Sequence, residues 1–425
     1  MENLKQQIEL AYGLGSVAFR FDEDQYQVLG SDGPREQPLT DVQIGEALDS
    51  PIESAPLEEI LSADESVLIV VSDATRATGS AQIVNILVRR IIQIGVLPQN
   101  IGIIFSTGIH RAVSSDEKRL LLSPFIFQRI KTLDHDAYDS STLVVLGETR
   151  HGTPVVLNRA LKEFSHVILT GAIGFHYFAG FTGGRKSICP GLASAQTIKA
   201  THMLALDFES GGRRAGVGTG LLEGNAVHEE CESIAEMINP SFGINSVVDE
   251  RGRAVRVLAG HWRGAHRAAC QEYLATRSVR IENQRDVVVA SCGGFPYDIN
   301  LIQAHKALDM ATQACSEGGT ILLLAECREG LGRHDFLKWF DEESSSTLAG
   351  SLRRAYEVNG QTAWTLLTKA ERYRVLLLST LPDQDVKQMR MTPVHSLDEA
   401  MAQIDPSVRG YILPRGAACL PVNPD

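Results

Sequence analysis

Short, almost uninterrupted apolar runs alternate with segments of helical period along most of this chain. Residues 65–72 (ESVLIVVS), 100–106 and 166–172 are the first three runs, and residues 81–94 carry apolar side chains at helical spacing. A strand that is apolar at every residue has no solvent face and must be covered on both sides. Strands of that kind separated by helices require a mostly parallel sheet with helices packed on both faces. The rhythm restarts at Asp286 with the strand VVVASC, a helix over 300–315, and strands over 320–325, 375–379 and 411–413. At 425 residues the chain is too long for one ordinary core. The expected fold is therefore α/β with two domains, each a mostly parallel sheet flanked by helices and with the active site in the cleft between them. The boundary is expected near 276–285, giving domains 1–280 and 281–425.

The remaining segments are less regular. Residues 8–30 suggest short antiparallel strands around Gly13 and Gly15, and 31–62 a loop with one short helix. A helix is expected over 114–129, and a hairpin from 142–146 and 154–158 around GETRHGT. Helices over 225–238 and 264–277 flank a hairpin at 243–257.

The net charge of −12 argues against a general nucleic-acid binder or a protein held to an acidic membrane. An anionic ligand would need a local basic cluster. Seven scattered cysteines without a CxxC pair point to reduced thiols in a cytoplasm. The first residues lack a basic-then-apolar export pattern, and no apolar run reaches membrane-spanning length.

The most informative segment is HVILTGAIGFHYFAGFTGGRKSICPGLASAQTIKATH, residues 166–202. An apolar strand leads to His176, then to a loop with Gly180, Thr182, Gly183 and Gly184, then to Arg185-Lys186 and a helix-like stretch ending at His202. Glycines let backbone N–H groups approach an anion, and a helix start adds a favourable dipole. The loop reads as a phosphate cradle with a lysine and two histidines beside it. In open α/β sheets, ligands bind at the carboxyl ends of the strands. Two other strands end there in polar residues: Asp73, Thr75 and Arg76 in SDATRATGS, and His110 in STGIHRA. Singly, Asp73 and Thr75 fit a turn and a helix cap, and each histidine fits an ordinary loop residue. Gln303 and Lys306 share a helix face at i, i+3, which also fits a solvated surface. The loop is a near miss for a Walker A motif, because Arg185 stands where the second glycine belongs. A P-loop-like nucleotide hydrolase or kinase is the competing enzyme reading. A non-catalytic α/β binding protein is the other alternative.

Together, SDATRATGS, STGIHRA, GFHYFAGFTGGRKSICPGLAS and YDINLIQAHKALDMA resemble the nickel-dependent lactate racemase family, from about residue 10 to the C-terminus. The resemblance implies a racemase or epimerase that inverts C2 of a 2-hydroxy acid by reversible hydride transfer. It implies a nickel pincer nucleotide: pyridinium-3,5-bisthiocarboxylic acid mononucleotide with Ni, supplied by cofactor-synthesis enzymes. Lys186 resembles the lysine that tethers this cofactor, within the site formed by Thr75, Thr182, Gly183, Gly184 and Arg185. His202 resembles the nickel ligand, and His110 and His176 the paired acid–base histidines. Asp73, Arg76, Gln303 and Lys306 resemble substrate-binding groups, as does Trp364, with Trp339 competing for that role. Family members often carry Glu-Pro before the histidine matched by His176, whereas this chain has Gly174-Phe175. An aromatic face at Phe175 would favour a monocarboxylic hydroxy acid with an apolar or neutral side chain over malate, because burying an unpaired charge is costly.

Overall fold

The computed structural model describes residues 6–30, 36–74, 76–249 and 251–423. The expected contact at Thr75 lies outside them. Two compact units emerge, one built from residues 36–205 and 215–273, the other from 6–30, 206–214 and 274–423.

The chain opens in the second unit. Strands β1 (Gln6–Tyr12) and β2 (Gly15–Phe21) form an antiparallel hairpin, followed by β3 (Tyr26–Val28). The first unit begins with helices α1 (Asp41–Asp49) and α2 (Leu57–Ile60). Its sheet contains β4 (Val67–Ser72), β5 (Ile101–Ser106) and β6 (Lys131–Leu133). Helix α3 (Ser80–Ile94) connects β4 to β5. Helices α4 (Ser115–Leu121) and α5 (Pro124–Arg129) replace the single helix expected over 114–129. The break follows from Pro124, which is tolerated in a helix only in the first turn. Ser123 caps the new helix by accepting from Ile126 N at 3.4 Å.

Next come the hairpin of β7 (Leu143–Glu148) and β8 (Pro154–Asn158), helix α6 (Ala160–Glu163) and the central strand β9 (His166–Ala172). A small antiparallel pair, β10 (Phe175–His176) and β11 (Gly180–Phe181), carries the Gly-rich loop, and α7 (Ala195–Met203) follows. After β12 (Leu206–Asp207) and β13 (Gly212–Arg213) come α8 (Ala226–Ile238), β14 (Phe242–Val248), β15 (Ala254–Gly260) and α9 (Gly264–Arg277). The first sheet runs β15-β14-β9-β4-β5-β6, parallel except for the edge strand β15. Alternate residues Val67, Ile69 and Val71 of β4 join one apolar cluster with Ile83, Val84, Leu87, Val88 and Ile91 of α3. Each such side chain contributes roughly 1.5–3 kcal/mol on burial.

The second unit continues with β16 (Ser278–Arg280), β17 (Arg285–Ser291), α10 (Leu301–Ala314) and β18 (Cys315–Leu324). It adds α11 (Ser345–Arg354), α12 (Val358–Arg372), β19 (Arg374–Leu378), β20 (Thr392–Val394), β21 (Gly410–Leu413) and β22 (Leu420–Val422). Its sheet is parallel throughout, in the order β20-β19-β18-β17-β21-β3. A single cut near residue 280 therefore misses two excursions. Strand β3 completes this sheet beside β21, and Leu10, Phe19 and Phe21 of the opening hairpin enter its core. The β12–β13 hairpin is held by Arg213, which bonds Asp309 on α10 at 3.1 Å, while Lys369 bonds the same carboxylate at 2.7 Å.

Candidate active site

Strands β9, β4 and β5 are neighbours, so their carboxyl ends bring three loops to one edge of the first sheet. Asp73, directly after β4, is 4 % exposed. Its Oδ2 lies 2.8 Å from Nδ1 of His110, which follows β5. A buried carboxylate accepts from Nδ1–H and so fixes one tautomer, leaving the lone pair on Nε2. The His110 side chain is half-exposed, so this nitrogen is open to a reactant. Arg76 is exposed and, among the described residues, has no ion pair.

His176 is held the other way round. Its Nδ1 accepts from the backbone N–H of Ala179 at 3.2 Å. The neutral ring therefore carries its proton on Nε2. One histidine presents a proton acceptor at Nε2 and the other a proton donor.

The Gly-rich loop is built by backbone conformations that a side chain would spoil. Gly183 and Gly184 have φ of +74° and +49°. Thr182 Oγ1 donates to Ala172 O at 2.7 Å and pins the loop to the end of β9. The N–H groups of Gly183, Gly184 and Arg185 find no hydrogen-bond partner among the described residues. Successive unpaired N–H groups after left-handed glycines form an anion-binding concavity. The expected helix start at this point is replaced by a single 3₁₀ turn, Gly184–Ser187, and α7 begins only at Ala195, capped by Ser194. The cradle thus rests on backbone N–H groups, with no helix dipole behind it. The Arg185 guanidinium also departs from its expected ligand contact. It is 1 % exposed and donates to Ala179 O at 2.7 Å, with Thr182 O and Gly183 O at 3.4 Å. Its side chain braces the loop from within.

Phe178 joins the remaining groups. Its ring centroid lies 4.4 Å from that of His176 and 5.0 Å from that of His202, and Lys186 Nζ lies 5.3 Å from it. Burial of the Lys186 ammonium, aided by the charges of Arg185 and Arg76 and opposed by Cys231, pushes its pKa down to about 7. The residue as a whole keeps part of its surface exposed. His202 is 7 % exposed, and burial together with the Lys186 charge pushes its pKa down to about 3. It is a neutral imidazole, the form that ligates metals. Phe178 was legible in sequence only as part of the aromatic run FHYF. Cys231 and His266, which also border this loop, sit in the stretch with no local motif.

Phe175 does not face His176. Neighbouring residues of a strand point to opposite sides. Its ring packs against Tyr273 at 4.9 Å and Phe181 at 5.6 Å, and the residue is 8 % exposed. The ring stacked on His176 is Tyr177, at 5.3 Å. The case for an apolar substrate pocket at Phe175 therefore falls.

In the second unit, Gln303 and Lys306 do share one face of α10. Lys306 Nζ donates to Gln303 Oε1 at 2.6 Å, and both residues are partly exposed. Trp364 is 2 % exposed, and its indole N–H finds no partner among the described residues. It is a buried residue of α12.

Comparisons with known proteins identify the family. A lactate racemase N-terminal domain model matches residues 12–212, and a lactate racemase C-terminal domain model matches residues 281–410. The chain is 30% identical to the lactate racemase of Lactiplantibacillus plantarum, over 98% of both proteins. It is 29% identical to that of Thermoanaerobacterium thermosaccharolyticum, over 93% of both. The structure of the T. thermosaccharolyticum lactate racemase apoprotein superposes with a TM-score of 0.90 at 27% identity, covering 98% of this chain and 100% of that one. A Thermotoga maritima protein at 18% identity and a TM-score of 0.66 shares the fold. The chain is an enzyme of the isomerase class and belongs to the lactate racemase family.

Proposed function

We propose that this protein racemises lactate or a close 2-hydroxy acid, using a nickel pincer nucleotide held in the first unit. The observation that carries the reading is the grouping of Lys186, His202 and His176 around Phe178, next to a loop with three unpaired N–H groups. These residues fit the cofactor. The N–H groups of Gly183–Arg185 suit a phosphate, the depressed pKa of Lys186 supplies a neutral amine for an acyl linkage, and the neutral His202 suits nickel. When bound, the cofactor supplies reversible hydride acceptance at C2. The protein's own work is to move the hydroxyl proton and hold the carboxylate. His110, with its Nε2 lone pair, takes the hydroxyl proton of one enantiomer, and His176, with Nε2–H, returns a proton to the carbonyl oxygen as the other enantiomer forms. Asp73 holds His110 in the required tautomer. Arg76, exposed beside Asp73, takes the substrate carboxylate.

A P-loop enzyme is less well supported. A P-loop runs directly into an α-helix, whereas Lys186 sits in an isolated 3₁₀ turn. Among the described residues no helix is long and apolar enough to cross a membrane, and all seven cysteines are free thiols. Both fit work in a reducing cytoplasm alongside the cofactor-synthesis enzymes.

The test is to produce the protein together with those enzymes, then measure intact mass, nickel content and racemisation by chiral chromatography. Lys186→Ala should abolish the mass increment, and His202→Ala should lower nickel. His110→Ala and His176→Ala should each stop turnover with nickel retained. Nickel loss in His110→Ala or His176→Ala but not in His202→Ala would reverse the assigned roles. Equal adduct mass in wild type and Lys186→Ala would remove the tether.

A further inference from the structure

Behind the Gly-rich loop lies a polar layer that the reaction does not use. Arg185 is almost wholly buried, yet its hydrogen bonds go only to neutral groups: three loop carbonyls and Nε2 of His266 at 3.0 Å. The same Nε2 lies 3.0 Å from Thr182 O. In the Nδ1–H tautomer Nε2 accepts from the guanidinium and Thr182 O draws its hydrogen bond from Arg185; in the Nε2–H tautomer Nε2 donates to Thr182 O instead. The His266 ring, in the first turn of α9, also fills the space under the loop, since a Cβ on Gly184 would lie 2.5 Å from its Cδ2. His228 stacks on the far side, with ring centroids 6.4 Å apart; neither of its nitrogens has a hydrogen-bond partner among the described residues, and Glu232 Oε1 lies 3.7 Å from its Nε2. In the first tautomer the acceptor for Arg185 in this layer is His266.

We propose that His266 is a positioning residue for the anion loop. By accepting from Arg185 it fixes the guanidinium that gathers the carbonyls of Ala179, Thr182 and Gly183. It thereby holds the loop in the conformation that leaves the N–H groups of Gly183, Gly184 and Arg185 free for a phosphate. The inference rests on the reading of this loop as the cofactor's phosphate site.

The test uses the full-length protein without cofactor. Binding of nicotinic acid mononucleotide and of inorganic phosphate is measured by calorimetry, and hydrogen exchange is followed in a peptide spanning 178–188. His266→Phe keeps a planar ring but removes the acceptor. It should weaken mononucleotide binding about tenfold, the scale of one buried donor left unpaired. It should also speed exchange in the loop. His266→Gln restores an acceptor and should recover most of the affinity. Unchanged affinity and unchanged loop exchange in His266→Phe would overturn the proposal. Should that variant fail to fold, the near-isosteric pair His266→Gln and His266→Met decides it: equal binding and equal exchange in the two would overturn the acceptor role. If the wild type binds neither probe, the phosphate reading fails by itself. Loop exchange then still decides whether His266 orders the loop.

Discussion

His110 and His176 differ in which ring nitrogen is tied down, and the acid–base roles proposed for them rest on that difference. His110 gives its Nδ1 proton to a buried carboxylate, while His176 receives a proton at Nδ1 from the backbone. Asp73→Asn separates tautomer from charge and shape. An asparagine amide can donate to Nδ1 and turn the imidazole into the Nε2–H form, which cannot take the substrate proton. Racemisation should fall by about 10²–10⁴, the usual worth of one acid–base group. The cofactor mass increment should be unchanged, because Asp73 bonds His110 and lies in a different loop from Lys186. Turnover within threefold of wild type would show that Asp73 does not set the tautomer. The substrate side chain is not specified at this scale, since Phe175 is packed in the core.

At the scale of elements, the loop Gly180–Ser187 depends on close approach. Gly184 has φ of +49°, and its Cβ would collide with His266. Gly184→Ala should cost about 1–2 kcal/mol for the left-handed backbone. Overpacking should add about 1–3 kcal/mol. Gly152→Ala is the control: its φ is +77°, but nothing lies within 4 Å of a new Cβ. Thermal melts should show a clearly larger loss for Gly184→Ala, together with loss of mononucleotide binding; equal losses would mean that the His266 contact yields freely. The same elements show what the sequence could reveal. Strands β4, β5, β9 and β17 were legible because each carries a near-continuous apolar run, and the shared carboxyl edge of the first three followed from parallel topology. The break at Pro124 was written in the chain but was overrun by the apolar period around it. The 3₁₀ turn was masked because glycine, arginine and lysine fit a helix start equally well. His266 was invisible because its role comes from a contact 81 residues away, to Arg185. The crossing of residues 6–30 and 206–214 into the second unit was hidden for the same reason, since strand pairing partners leave no local signal.

Across the whole molecule, buried neutral histidines set the response to acid. Burial is the largest cause in each case, pushing His228 down to about 2 and His266 and His305 down to about 3. Neighbouring Arg185 lowers the first two further, and Lys369 lowers the third. In the unfolded chain these groups titrate near 6.5. Their folded pKa values are depressed, so folding excludes protons that the unfolded chain would bind. The contribution is fully present above about pH 6.5 and is lost as the pH falls toward 3. Three such groups give a slope of about 4 kcal/mol per pH unit, an upper limit, well below pH 6.5. Urea midpoints of the cofactor-free protein at pH 7.5, 6.5, 5.5 and 4.5 should fall only slightly over the first step, by about 1 kcal/mol in stability, and then steeply. His228→Leu isolates one group. Whatever it does to stability at pH 7.5, it should reduce the acid slope by at most about a third, because one excluded proton is gone while those of His266, His305 and the likewise buried His135 remain. His202 is left out of this sum because a bound metal would change its titration. A midpoint that stays level down to pH 4.5, or a slope unaffected by His228→Leu, would show that these imidazoles are protonated in the folded protein. The acceptor role of His266 toward Arg185 would then fail with them, since a protonated ring has no lone pair to offer.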